Sequence, residues 1–207
     1  MTTLDIASHT TPLGRVQIAL RDGLLCTLTL DASFPPFAWQ LERRFASCAK
    51  RTRGDAAARV KRALDAYFAG DLRGLAALPI DPGGSDFQRA VWNALRSVPA
   101  GETVSYGALA RAIGRPQAAR AVGAACGANP VWLVVPCHRA IGSDGHLVGY
   151  AAGLERKGWL LAHERAQAGE ARAQRAAGER SSRKPVAGNH LGLEVDSRAH
   201  AGDARAS

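Results

Sequence analysis

The sequence predicts an α+β protein: a small amino-terminal α/β unit with an antiparallel sheet, then a helical, winged-helix-like half containing a helix-turn-helix. Three observations predict it. Strand-period alternation flanks Asp22-Gly23, which marks a β-hairpin near the start. Two amphipathic stretches of helical period follow. Beyond the linker-like run Asp81-Pro82-Gly83-Gly84, short helical segments are separated by glycine and proline.

Taken in order, Val16, Ile18 and Leu20 alternate with polar neighbours, Asp22-Gly23 turns the chain, and Leu24 to Leu30 alternates again. Pro35-Pro36 breaks the pattern. Phe37 to Phe45 and Ala56 to Phe68 read as helices; in the second, Val60, Ala63, Leu64, Tyr67 and Phe68 share a face and Gly70 suits the stop. These residues suggest packing and nothing catalytic. Ser85 or Asp86 can cap a helix from Phe87 to Ser97, with Val91, Trp92 and Leu95 as its buried stripe. Ser105 caps a helix from Tyr106 to Ile113, closed by Gly114, and a third runs from about Gln117 to Ala128. The last two form the helix-turn-helix pattern. Val131 to Val135 is a continuous apolar run that reads as a buried strand, leading into Pro136-Cys137-His138-Arg139. A final helix spans Leu154 to about Glu164. From Ala166 to Ser207 the chain is rich in Ala, Gly, Arg and Ser, which predicts disorder because little apolar surface is available to offset ordering. The expected organisation is 1–82, 83–165 and a tail of 166–207.

With 207 residues, 46% hydrophobic, the chain can bury a core, and its net charge of +9 favours a polyanionic partner. The tail holds 7 basic and 5 acidic residues, leaving 20 and 13 in the body, so most of the excess belongs to the folded part. No apolar stretch approaches the roughly 18 residues of a membrane span, and the amino terminus lacks a signal-peptide plan. A cytoplasmic location follows as the expectation, with Cys26, Cys48, Cys126 and Cys137 as free thiols. None of them forms a C-x-x-C pair, so no metal site is expected.

A thiol attacks only as thiolate, and an ordinary cysteine has a pKa of about 8.5. Beside Cys137, His138 is the candidate base, but neighbours on a strand point to opposite faces. The two converge only on a turn, or through a bridging water, and Pro136 favours a turn. A carboxylate should orient the imidazole; Glu164, Glu155 and Asp144 are the candidates. Alone, Cys137 reads better as a buried inert thiol and His138 as a structural histidine.

The surrounding motifs change that. Ser105-Tyr106, Ala118-Ala119-Arg120-Ala121-Val122-Gly123, Asn129-Pro130, Pro136-Cys137-His138-Arg139, Gly149-Tyr150, Gly153-Leu154, Lys157 and Leu160-Leu161-Ala162-His163-Glu164 occur in order over about 80 residues. This stretch resembles the O6-alkylguanine-DNA alkyltransferase family, in its single-function form. The resemblance implies direct-reversal DNA repair: stoichiometric transfer of a methyl or alkyl group from O6-alkylguanine, and also O4-alkylthymine, onto the protein's own cysteine, without a cofactor. It implies Cys137 as acceptor, His138 as base through a water, Glu164 as its orienting partner, Tyr106 as donor to the leaving guanine, and Asn129 as the tie between recognition helix and active-site turn. It also implies a monomer on double-stranded DNA, with Arg120 entering the minor groove to hold open the gap left by a flipped base, and Ser105, Tyr106, Ala119, Ala121 and Gly123 against the DNA. Pro130, Trp132, Val148, Tyr150, Ala151 and Ala152 would form the base and alkyl pocket.

Trp132, Ala151 and Ala152 depart from the family's usual residues, which bears on the size of adduct accepted. A cysteine cluster for phosphotriester repair is missing from the amino-terminal part. Two other readings compete: a non-catalytic protein that binds alkylated bases on the same scaffold, and a plain helix-turn-helix regulator. The first lacks a use for Cys137, and the second leaves the Cys-His-Glu set unexplained.

Overall fold

The computed structural model describes residues 3–31, 33, 35–52 and 56–182. Strands β1 (Thr3–Thr11), β2 (Gly14–Arg21) and β3 (Leu24–Leu30) form an antiparallel meander. Asp22 and Gly23 take φ of 52° and 79°, the doubly left-handed turn that matches strand twist, so the hairpin read at this dipeptide is present. Sequence reading missed β1, and it missed β4 (Ala49–Thr52), which adds parallel to β1 and gives the order β3-β2-β1-β4.

The sheet has two covered faces. Helix α1 (Phe37–Phe45) lays Leu41 and Phe45 on Leu4, Ala19 and Cys26. Against the other face, Val16, Ile18, Leu25 and Leu28 join the main core together with Leu64 and Tyr67 of α2 (Ala58–Phe68). That same core continues into Trp92 of α3 (Asp86–Arg96), Leu109 of α4 (Tyr106–Ala112), Val122 of α5 (Ala119–Gly127) and Leu160 of α6 (Leu154–Ser182).

Local chemistry sets the helical half. Ser85 and Gln88 form a reciprocal capping box at the start of α3, and Ser105 Oγ accepts from the Ala108 N–H at the start of α4. Gly114 closes α4 with φ of 70°. The Trp92 indole donates to the Ala125 carbonyl at 2.9 Å, clamping the second helix of the helix-turn-helix to α3. Val104 and Ser105 pair in parallel with Ala140 and Ile141, as the two-stranded sheet β5–β6.

Two expectations fail. Val131 to Val135 is no strand. Only Val131 bridges β3, at Leu28, and the chain then coils tightly: Val134 N–H donates to Trp132 O and Val135 N–H to Val131 O. A buried apolar run reports burial and not period, so a buried turn looks like a buried strand. The disorder expected from Ala166 also fails as far as Ser182, because α6 runs on without a break. Alanine, arginine, glutamine and glutamate favour helix without any core. Gly101 lies close against α6, where an added Cβ would meet Ala168 Cβ and Glu164 O, each at 3.2 Å. Residues 183–207 of that expected tail lie outside the described residues.

Candidate active site

The free edge of β3 builds the site. Leu28 N–H donates to Pro130 O at 2.9 Å, and Trp132 N–H donates to Leu28 O at 2.8 Å. The active-site segment is therefore paired to the amino-terminal sheet. Beyond it Leu133 takes φ of 64°, a left-handed conformation that strains an L-residue by about 1–2 kcal/mol. A tight turn follows, with Cys137 N–H donating to Val135 O at 2.8 Å, and Cys137–Arg139 form one 3₁₀ turn. The turn expected at Pro136 is present, and it sends Cys137 and His138 in different directions.

Cys137 lines a cavity of about 1010 Å³. Asn129 spans the turn: its Nδ2 donates to Val135 O at 2.8 Å and to Cys137 Sγ at 3.2 Å, while its Oδ1 accepts from Val131 N–H at 2.9 Å. Burial pushes the Cys137 thiol up, opposed by the Asn129 hydrogen bond and by the nearby Lys157 ammonium. At rest the group is a neutral thiol.

His138 lies behind, fully buried, with Nε2 at 2.9 Å from Glu164 Oε1. Glu164 was one of three candidate carboxylates, and it is the one that meets the imidazole. It accepts five hydrogen bonds. Tyr67 Oη at 2.9 Å, His138 Nε2 at 2.9 Å and Arg139 Nη2 at 2.8 Å reach Oε1; Arg139 Nε at 2.9 Å and the Gly101 N–H at 3.1 Å reach Oε2. That saturates the lone pairs of a carboxylate. Burial alone would raise its pKa, but the bonds from His138 and Arg139 outweigh it and hold the carboxyl far below the usual range. Burial lowers the His138 pKa, against the pull of Glu164. A carboxylate can only accept, so Nε2 carries the proton and the lone pair sits on Nδ1. Among the described residues this buried Nδ1 has no hydrogen-bond partner.

Around the cavity, Tyr106 Oη donates to Val148 O at 3.1 Å, and burial, with the two thiols, pushes its pKa up to about 12. Lys157, fully buried, donates to the same Val148 O at 2.7 Å and to Gly149 O at 3.3 Å. The Trp132 indole donates to Tyr150 Oη. All six expected pocket residues, Pro130, Trp132, Val148, Tyr150, Ala151 and Ala152, line this cavity, as do Tyr106, Asn129, Ala119, Arg120 and Gly123. Ser105 and Ala121 do not: the Ser105 hydroxyl is used as a helix cap, and Ala121 lies exposed on α5. A Cβ added to Gly123 or Gly127 would meet nothing within 4 Å, so the outer face of α5 is open to close approach.

Four residues were not read as functional. Tyr67 reads as core by helical period, and Arg139 sits inside the Cys-His motif without a role of its own. Lys157 was visible only as part of the resemblance. Cys126 lines the cavity with its thiol pushed up to about 12 by burial and by Cys137, so it stays protonated.

Residues 86–166 match the family model described as the DNA-binding domain of 6-O-methylguanine DNA methyltransferase. A methylated-DNA–protein-cysteine methyltransferase of Mycolicibacterium paratuberculosis is 46% identical over 158 residues, 74% of this chain and 88% of that protein. The one from Salmonella typhimurium is 59% identical over 98 residues, 47% of this chain and only 57% of its own length. Among solved structures, Mycobacterium tuberculosis OGT in complex with DNA superposes with a TM-score of 0.68 at 37% identity, covering 79% of this chain and 94% of that one. The Pyrococcus kodakaraensis O6-methylguanine-DNA methyltransferase gives 0.61 at 25% identity, covering 78% and 99%. The fold is thus that of these solved methyltransferases, with a buried Cys-His-Glu arrangement beside one cavity. The chain belongs to the methylated-DNA–protein-cysteine methyltransferase family.

Proposed function

We propose that this protein repairs alkylated DNA by taking the alkyl group of O6-alkylguanine, and of O4-alkylthymine, onto Cys137, once per molecule. The observation that carries the reading is the Cys137 thiol facing the cavity with the His138–Glu164 pair behind it. Nδ1 of His138 takes the thiol proton through a water. Sγ then forms a bond to the alkyl carbon as the carbon–O6 bond breaks, and that electron pair passes into the guanine ring. Tyr106 exchanges Val148 O for the ring and supplies the donor that meets the developing charge. The ring takes a proton from Tyr106, the proton held by His138 returns to the tyrosinate through water, and the products are S-alkyl-Cys137 and guanine, or thymine from O4-alkylthymine. Glu164 holds the imidazole tautomer and offsets its charge, and Asn129 orients Sγ.

The DNA partner is a duplex, engaged by the helix-turn-helix in the minor groove, with Arg120 filling the stack a flipped base leaves. We infer a monomer acting in the cytoplasm; among the described residues no helix is long and apolar enough to cross a membrane. Residues 1–82 serve as scaffold, and 83–165 carry DNA contact and chemistry.

Duplex DNA labelled in the O6-methyl group tests this. Label should move to protein at one equivalent, and Cys137→Ser should bind the duplex without acquiring it. Duplex binding by the parent with no label transferred sinks the reading in favour of a lesion-binding protein. Arg120→Ala should slow transfer from duplex far more than reaction with free O6-benzylguanine; equal losses refute the groove role.

A further inference from the structure

The cavity does not end at the thiol. At about 1010 Å³ it lies at the top of the roughly 300–1,000 Å³ range of sites that enclose a drug-sized ligand, so it has room beyond one purine. From Cys137 and Arg120 it runs past Pro82 and Gly84 to α1, where Trp39, Gln40 and Arg43 line it. The α1 helix is fixed there. Leu41 and Phe45 are buried on the sheet, and Arg44 donates to Cys26 O at 2.8 Å and to Asp81 O at 3.2 Å. Trp39 nevertheless stands 48% exposed, a large apolar side chain left in water at the cavity wall. The Arg43 guanidinium lies over its ring, 5.2 Å from the centroid, and among the described residues no carboxylate pairs with that cation.

We propose that the Trp39–Arg43 wall of α1 is a second contact for the DNA strand whose base enters the Cys137 pocket, stacking on the indole a neighbouring base that unpairs beside the flipped one and holding a phosphate on Arg43. The inference rests on the DNA reading above. Three observations carry it. The wall is continuous with the pocket, so a strand anchored at Cys137 is led along it. An exposed aromatic beside a free cation is the pairing that single-strand surfaces use, because every base has a face to stack and every nucleotide a charge to meet. The charge is right: Arg43 and Arg120 line one cavity in a chain of net charge +9. The role of the amino-terminal unit then exceeds that of a scaffold.

The test compares the full chain with Trp39→Ala, Arg43→Gln and Arg43→Lys. Binding to an O6-methylguanine duplex is measured by anisotropy over a range of salt concentrations. Trp39→Ala should weaken binding at least about fivefold and leave the salt slope unchanged. Arg43→Gln should weaken binding and reduce the slope by about 0.7–0.9, the loss of one phosphate contact, while Arg43→Lys keeps the slope. Melting temperatures should match the parent, since neither side chain is in the core. Parental affinity and slope in all three variants overturn the inference. A parent that binds but transfers no methyl defeats the proposed reaction instead, and the affinity comparison still decides this one.

Discussion

At the scale of residues, the site keeps its charges where they do different work. The thiol is raised by burial, so Cys137 rests protonated and the proposed transfer requires a base. Labelling by iodoacetamide should therefore rise with pH through a midpoint above the ordinary thiol value of about 8.5. Lys157 lowers the thiol pKa, so Lys157→Met should move the midpoint higher and Lys157→Arg should restore part of it. An unmoved midpoint in Lys157→Met would limit this lysine to its hydrogen bonds with Val148 and Gly149. Folding should follow pH through the same groups. His138 is harder to protonate in the folded chain, so below the unfolded value of about 6.5 the unfolded state binds the extra proton and stability falls. Glu164, depressed in the folded chain, gives stability that is complete above about 4.3 and is lost as the pH falls further. Urea midpoints that stay flat from pH 7 to 5 and only then drop would remove the histidine from this account.

At the scale of elements, two parts of the amino-terminal unit reach the chemistry. Tyr67 of α2 donates to Glu164, and Leu28 of β3 pairs with the backbone on both sides of Val131. Tyr67→Phe keeps the ring and removes one charge-assisted bond, so it should cost about 1.5–3 kcal/mol of stability by denaturant melts. A neutral result would mean that the remaining four donors suffice. The hairpin, α1 and α2 were legible in the sequence because turn chemistry and period are local. The helix-turn-helix was legible through its caps. The active-site turn was not: Val131–Val135 is apolar because it is buried, and its geometry comes from pairing to β3, about a hundred residues earlier. Tyr67 was illegible for the same reason. Its period names a buried face, and the carboxylate it serves lies 97 residues away. Cys137, His138 and the choice of Glu164 were legible only through the wider pattern of motifs; nothing in Pro-Cys-His-Arg alone distinguishes a reactive thiol from an inert one.

At the scale of the whole molecule, one hydrophobic core runs from the sheet into the helical half, joining Ile18 and Leu28 to Trp92, Leu109 and Leu160. The chain should unfold in a single transition, seen alike by tryptophan fluorescence and far-ultraviolet circular dichroism. Two separated transitions would show that the halves fold independently. The positive charge of the whole should make duplex affinity fall steeply with salt. The proposed chemistry rests on one sulfur atom, that of Cys137. Peptide mass mapping after incubation with an O6-methylguanine duplex tests it most directly. One added methyl group is expected, confined to the peptide that holds Cys137. A methyl group on another residue, or an unmodified protein beside repaired DNA, would contradict it.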